Sequence, residues 1–226
     1  MKITTSISVF IILLYVNYSC GKPKEDELVE FKFEIPLTIT PVKNTFNIGD
    51  TLVLEASFSD SIKEALSGKY YKVPNFDFQT YITFLKLVSK DFILAEQPGG
   101  SANFEIISEV GDVLNLGQTG GSLKLNYTSQ YKCRIKIIAK QKGIYSIYFL
   151  SNYVGNNTPL DFINLGSSAS GGQKKATLRN IWYVINDGNN NFDLLKEHCR
   201  IAHLTSNPSP DNVNSERYAT FTFVVQ

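Results

Sequence analysis

Cysteine and histidine offer this 226-residue chain its richest chemistry, and the spacing of its three cysteines and two histidines restricts what they can do. His198 and His203 flank Cys199 and lie five residues apart. Imidazole and thiolate suit zinc, but five residues of helix turn through about 500°, so the two rings leave on different faces. No further cysteine pair stands near enough in sequence to complete a tetrahedral set. Surface histidines beside a buried cysteine are the simpler expectation. Asp187, Asn189, Asn191 and Asp193 alternate oxygen-bearing side chains as a calcium loop does. Such a loop turns on a glycine and closes with a bidentate glutamate, and here Phe192 and His198 hold those places. A helix-capping loop explains the same residues. Gly166-Ser167-Ser168-Ala169-Ser170 approaches a nucleophile elbow but lacks the final glycine and the strand-turn-helix setting. Both histidines fall in one late stretch, which gives a Ser-His-Asp arrangement no support, and the scattered carboxylates show no pairing. The expectation is a noncatalytic chain without metal or cofactor.

Aromatic side chains remain as candidates, because the apolar face of a sugar stacks on an exposed ring while neighbouring polar groups fix its orientation. Tyr70, Tyr71, Phe76, Phe78 and Tyr81 cluster in one stretch, and Trp182 with Tyr183 lies in another. Tyr70, Tyr71, Phe76 and Trp182 are the candidate ligand-binding residues if both stretches project from one end of the fold. Alternating aromatics also fill sandwich cores, and Ile181-Trp182-Tyr183-Val184-Ile185 reads as a strand.

Before these stretches comes an address. Lys2 supplies a positive charge, and Ile7 to Val16 form an apolar run broken only by Ser8, the layout of a secretory leader. The run falls short of the roughly 20 residues that cross a bilayer. Asn17-Tyr18-Ser19-Cys20-Gly21 then resembles the lipobox of bacterial lipoproteins, although Asn17 stands where an apolar residue is usual. The resemblance implies cleavage before Cys20 and acylation of its sulfur. Lys24-Glu25-Asp26-Glu27 resembles the acidic export signal of Bacteroidota lipoproteins, and a plain solvated linker explains the same residues. The resulting division is a leader over 1–19, a lipidated flexible tether over 20–27 and one domain over 28–226. Its expected location is the outer membrane, facing the cell surface or the periplasm, with the bilayer as a partner through the N-terminal lipid. Lipidation of Cys20 leaves Cys133 and Cys199 as an even pair in a compartment where disulfides persist. Two readings stay open for that pair: a bridge worth about 4 kcal/mol, or two separate buried thiols.

Loss of the leader removes one lysine, so 21 basic side chains face 21 acidic ones. Such a neutral domain lacks the basic field that nucleic acid demands. Strand-like alternation recurs over 28–40, 51–58, 79–88, 104–110, 123–127, 131–140, 144–149 and 218–225. Pro36 interrupts the first of these runs, as at an edge strand that bends or changes sheets. Gly49-Asp50-Thr51-Leu52-Val53-Leu54-Glu55-Ala56 resembles the turn and second strand of immunoglobulin-like domains, with Ala56 in a cysteine position. Gln141-Lys142-Gly143-Ile144-Tyr145-Ser146-Ile147 resembles the approach to their sixth strand, which implies a tyrosine corner at Tyr145. The expected fold is therefore mainly β: an immunoglobulin-like β-sandwich with insertions and one short helix near the C-terminus. One insertion is expected over 59–78, with a helical turn at Ser61 to Leu66, and another over 152–215. The helix is expected to start after Asn190 or Asn191, to carry Leu194, Leu195, Cys199 and Ala202 as its apolar stripe, and to be stopped by Pro208 and Pro210.

These features imply a membrane-anchored extracytoplasmic lipoprotein that acts as a noncatalytic binding or assembly module for a glycan or protein partner. The alternative is a carbohydrate-active enzyme or an accessory glycan-binding protein of a surface polysaccharide system.

Overall fold

Period-two alternation governs the chain from Glu27 onward, and each alternating run becomes a strand with one face in the core. The computed structural model describes residues 25–115, 122–151, 158–205 and 209–226, so the leader and Cys20 lie outside the described residues. One sheet runs β12 (Thr158–Ser167), β13 (Gln173–Ile185), β1 (Glu27–Thr40), β3 (Thr51–Ser57), β10 (Lys132–Ala139) and β7 (Phe104–Val110). A hairpin of β4 (Ser61–Glu64) and β5 (Tyr70–Lys72) joins it along β1. The second sheet runs β2 (Thr45–Phe46), β14 (Thr220–Val225), β11 (Gly143–Ser151), β6 (Thr80–Lys86), β9 (Ser122–Asn126) and β8 (Asp112–Asn115). The order β1-β3-β10-β7 against β14-β11-β6 is the A-B-E-D against G-F-C arrangement of an immunoglobulin-like sandwich. One departure is that β7 precedes the β8–β9 hairpin. The chain passes from β7 to β8, and so from sheet to sheet, at Gly111, whose φ of +75° and closeness to the Asn126 carbonyl exclude a side chain.

The two inner faces meet in one core. Leu52, Leu54 and Ala56 of β3 face inward with Ile135, Ile137 and Ala139 of β10, against Ile82, Phe84, Ile147, Phe149, Phe221 and Phe223 of the other sheet. Ala56 and Ile147, at the positions where immunoglobulin-like sandwiches often carry cysteine, are fully buried. Tyr145 forms the expected corner: its ring is buried, and its hydroxyl donates to the carbonyls of Gln141 and Lys142, both at 3.3 Å. On β6 both faces are covered, because Leu85 joins Leu87, Leu94, Leu195, Cys199 and Ile201 in a second cluster outside the sheet. Cys133 and Cys199 are therefore free thiols in different clusters, Cys133 in the main core and Cys199 in the outer one. Burial pushes each thiol up to about 11, which keeps both protonated and unreactive.

Both insertions are present, with more structure than expected. Ser61–Glu64 is a strand, not a helical turn, because the exposed edge of β1 captures it through Phe33↔Glu64 and Glu34↔Lys63. On that edge β1 pairs first with β4 and then with β3 from Thr38 to Thr40. Pro36, which has no N–H to donate, falls in the gap between the two partners. The later insertion contributes β12, β13 and three short helices rather than one: α1 (Phe192–His198), α2 (Ala202–Thr205) and α3 (Pro210–Arg217). The stripe from Leu194 to Ala202 is broken at Cys199, where the backbone becomes extended. Pro210 starts a helix instead of ending one. At the first helical position its missing N–H costs nothing, and Ser209 caps the turn by accepting from the Asn212 amide.

β13 runs parallel to β1 from Glu27↔Lys174 to Leu37↔Ile185. Its register slips at Arg179, between Phe31↔Leu178 and Lys32↔Asn180. One extra residue inverts the inward phase. Ala176 and Leu178 point to the core before it, and Ile181, Tyr183 and Ile185 after it. Asn180 and Trp182 are thereby turned to the other face, beside Lys32 and Glu34.

Tyr145→Phe keeps the ring and removes the corner's hydrogen bonds. Denaturant unfolding is expected to show a loss of about 1 kcal/mol with an unchanged m-value.

Candidate functional site

Among the described residues the β12–β13 ladder reaches Thr158↔Leu178, and beyond Leu178 α3 lies along β13. There Asn214 Nδ2 donates to the Tyr183 carbonyl at 3.3 Å, and the Ile185 amide donates to the Tyr218 carbonyl, just past α3, at 3.1 Å. Between this covered edge and the second sheet lies a cleft of about 720 Å³, within the range of small-molecule sites. Tyr81, Tyr148 and Leu150 line its second-sheet side, and Asn180, Asp211, Asn212 and Ser215 the other. Asn180 Oδ1 accepts from Ser151 Oγ at 3.2 Å and from the Ile181 amide at 2.8 Å, which ties the two walls together. Behind them Tyr183 Oη donates to Thr80 Oγ1 at 2.9 Å, itself 2.7 Å from Tyr127 Oη, a buried network spanning both sheets. Burial pushes the Tyr148 hydroxyl up, so it meets the cleft as a neutral phenol.

Asp211 is the one charged side chain on the described lining. Trp182 Nε1 donates to its Oδ1 at 2.6 Å and Lys32 Nζ to its Oδ2 at 3.0 Å. Lys32 also lies 5.4 Å from the centre of the Trp182 ring. Burial pushes the Asp211 carboxyl up, but the hydrogen bonds from Trp182, Lys32 and Asn180 together outweigh it and hold the group below the usual carboxylate range. An acid so committed is ionised and fully engaged, which suits a fixed wall better than proton transfer.

The four candidate aromatics do not form one strip. Trp182, Glu34, Lys63 and Tyr70 stand in register on neighbouring strands, so Trp182 and exposed Tyr70 share a face about 14 Å apart. The Lys63–Glu34 ion pair, at 3.1 Å, fills the space between them. Tyr71 pairs with buried Ile62 and meets Phe31 edge-on at 4.9 Å, and half-buried Phe76 packs on Phe78 at 5.0 Å. Trp182 alone reaches the cleft, through Asp211.

The other motifs are used as ties. In the calcium-like stretch Asn191 Nδ2 donates to the Lys43 and Thr222 carbonyls and Asp193 pairs with Lys196, and Asn186, just before that stretch, accepts the Ile39 amide at Oδ1. His203, expected at the surface, is buried with Nδ1 2.6 Å from Glu216 Oε2, and that carboxylate also accepts the Ala202 and His203 amides. This pair staples α2 to α3. Ser168 and Ser170, of the serine-rich loop, are hydrogen-bonded to each other, and Ser170 Oγ donates to the Glu25 carbonyl at 3.1 Å. The cleft residues Asn180, Asp211, Asn212 and Ser215 carried no motif. The signal that could have found three of them is Ser209-Pro210-Asp211, a capped helix start.

No protein-family model matches the chain, and no curated protein matches it. Among solved structures it is similar to a conjugative transposon lipoprotein from Bacteroides eggerthii, with 12% identity and a TM-score of 0.26 over 52% of this chain and 85% of that one. Among the described residues no helix is long and apolar enough to cross a membrane.

Asp211→Asn weakens the charge-assisted contacts from Trp182, Lys32 and Asn180 and is expected to cost about 2 kcal/mol at pH 7. Because the folded pKa is depressed, wild type should hold this advantage above the unfolded carboxylate value of about 3.9 and lose it as pH falls further. Urea unfolding of both proteins across pH 7 to 2.5 checks it, with Trp182 emission reporting the altered wall.

Proposed function

We propose that the protein is a lipid-anchored extracytoplasmic module of the outer membrane that binds rather than transforms its partner, with Cys20 as the acylated residue. The observation that carries the reading is that one insertion both grips the residues just before β1 and builds the cleft. At its β12–β13 tip, Ser170 holds the Glu25 carbonyl, the Gln173 amide donates to Asp26 Oδ1 at 3.0 Å, and Lys175 pairs with Asp26 at 2.7 Å. These last two contacts, Lys175 foremost, hold the Asp26 carboxyl below its usual value. Gly172 lies so close against the Glu25 carbonyl that no side chain fits there.

The tether is thus shorter than its sequence implies, since Glu27 already belongs to β1. Four residues lie between Cys20 and Glu25, and those five Cα-to-Cα steps limit the reach to about 18 Å. A lipid at Cys20 would keep the hairpin tip close to the bilayer, with the cleft farther along the same insertion. A fixed wall with its one carboxylate neutralised favours binding over acid–base chemistry.

Cys20→Ser tests the anchor. The variant is expected in the soluble fraction after cell lysis and without incorporated radiolabelled palmitate, whereas wild type sediments with membranes and carries the label. Equal sedimentation of the two proteins contradicts the anchor.

A further inference from the structure

We infer that the cleft between α3 and the second sheet binds a neutral saccharide. The inference deepens the binding-module reading and rests on it, but is independent of the lipid. Three properties of the lining carry it. The first is charge. Asp211 is already met by Lys32 and Trp182, and the described lining holds no second charged group. A phosphate or carboxylate would be desolvated beside a carboxylate with no cation to spare, and a cationic ligand would have to displace Lys32.

The second property is the mixture of surfaces. Tyr81 and Tyr148 bring rings to one side, and the exposed Asn212 amide leads the other, backed by Asn180 and by Ser215, whose hydroxyl donates to the Asn212 carbonyl at 3.0 Å and keeps an oxygen that accepts. An apolar ligand would strip water from those polar groups and return nothing. A sugar offers both halves: C–H faces for the rings, and hydroxyls that donate and accept in turn for amides and serines.

The third is preorganisation. Asn180 is buried at 7% exposure and fixed by Ser151, the Ile181 amide and Asp211, and Asn214 is buried at 6% and fixed on the Tyr183 carbonyl. The wall therefore loses little freedom when a ligand arrives. Trp182, the chain's single tryptophan, sits behind Asp211 and reports on the site.

The test uses the full chain, solubilised in mild detergent. It is titrated with maltotriose, cellotriose, mannotriose, galactotriose and N-acetylchitotriose, with trigalacturonate as the anionic comparison. Trp182 emission and saturation-transfer NMR are the readouts. At least one neutral trisaccharide should saturate with a Kd below about 1 mM. Tyr81→Ala and Asn212→Ala, at partly or fully exposed positions that tolerate truncation, should each weaken it at least about tenfold. Tyr70→Ala should leave it unchanged, and trigalacturonate should bind at least about tenfold more weakly than the best neutral sugar. The inference is overturned if none of the five saturates by about 10 mM, if both cleft variants bind as wild type does, or if trigalacturonate binds as tightly. Cys20→Ser should bind the sugar like wild type, so failure here alongside intact membrane retention counts against the cleft alone.

Discussion

Eleven registered residue pairs of parallel ladder join β1 to β13, and most of what distinguishes this molecule from a plain sandwich hangs on them. A parallel pair cannot be closed by a tight turn. Here the two strands are separated by almost the whole sandwich, so the ladder forms only when the chain's first and late parts meet. The cost in loop entropy is met by burial. Phe31, Phe33, Ile35 and Leu37 of β1 and Leu178, Ile181, Tyr183 and Ile185 of β13 are all nearly solvent-free, each contributing about 2 kcal/mol of hydrophobic stabilisation. Once β13 is fixed, its beginning grips Glu25 and Asp26, and its far half holds α3. The cleft follows from that recruitment.

The bulge at Arg179 gives the ladder its chemistry. Without the extra residue, the inward phase set by Ala176 and Leu178 would continue, and Asn180 and Trp182 would point into the core. With it, Asn180 ties the cleft walls and Trp182 meets Asp211 and Lys32 on the other face. The charge of Asp211 is matched at short range by groups from β1 and β13, so three elements distant in sequence meet at one carboxylate. That meeting keeps the wall ionised, immobile and electrically quiet, the properties a site for uncharged polar ligands needs.

Much of the sandwich was legible because each strand carries its own pattern. Leu52, Leu54 and Ala56 alternate against Glu55, and Cys133, Ile135 and Ile137 against Arg134 and Lys136, as strands with one wet face must. The Gly-Ile-Tyr step gave the corner at Tyr145, since a hydroxyl buried at a strand start has few local acceptors besides the preceding carbonyls. What could not be read depended on partners far away. Ser61-Ile-Lys-Glu has ordinary helix propensity and becomes a strand because β1 presents an edge to it, an override of local preference by tertiary pairing. β13 was visible only after Arg179, because the phase slip there hides the alternation of its first half. Pro210 signalled a helix boundary, but only the cap from Ser209 tells a start from a stop. The cleft was illegible for a deeper reason: asparagine and serine are ordinary loop residues until α3 is set against β13.

Hydrogen exchange resolved along β13 tests the central dependence most directly. If the late insertion is part of the sandwich's cooperative unit, the amides of Leu178, Ile181 and Tyr183 should exchange with the same opening free energy as those of Leu52 and Leu54 in β3. Exchange of the β13 amides orders of magnitude faster than β3, with the sandwich still protected, would mean that the insertion is a loosely attached appendage, and neither the grip on Glu25 nor the cleft would then have a fixed foundation.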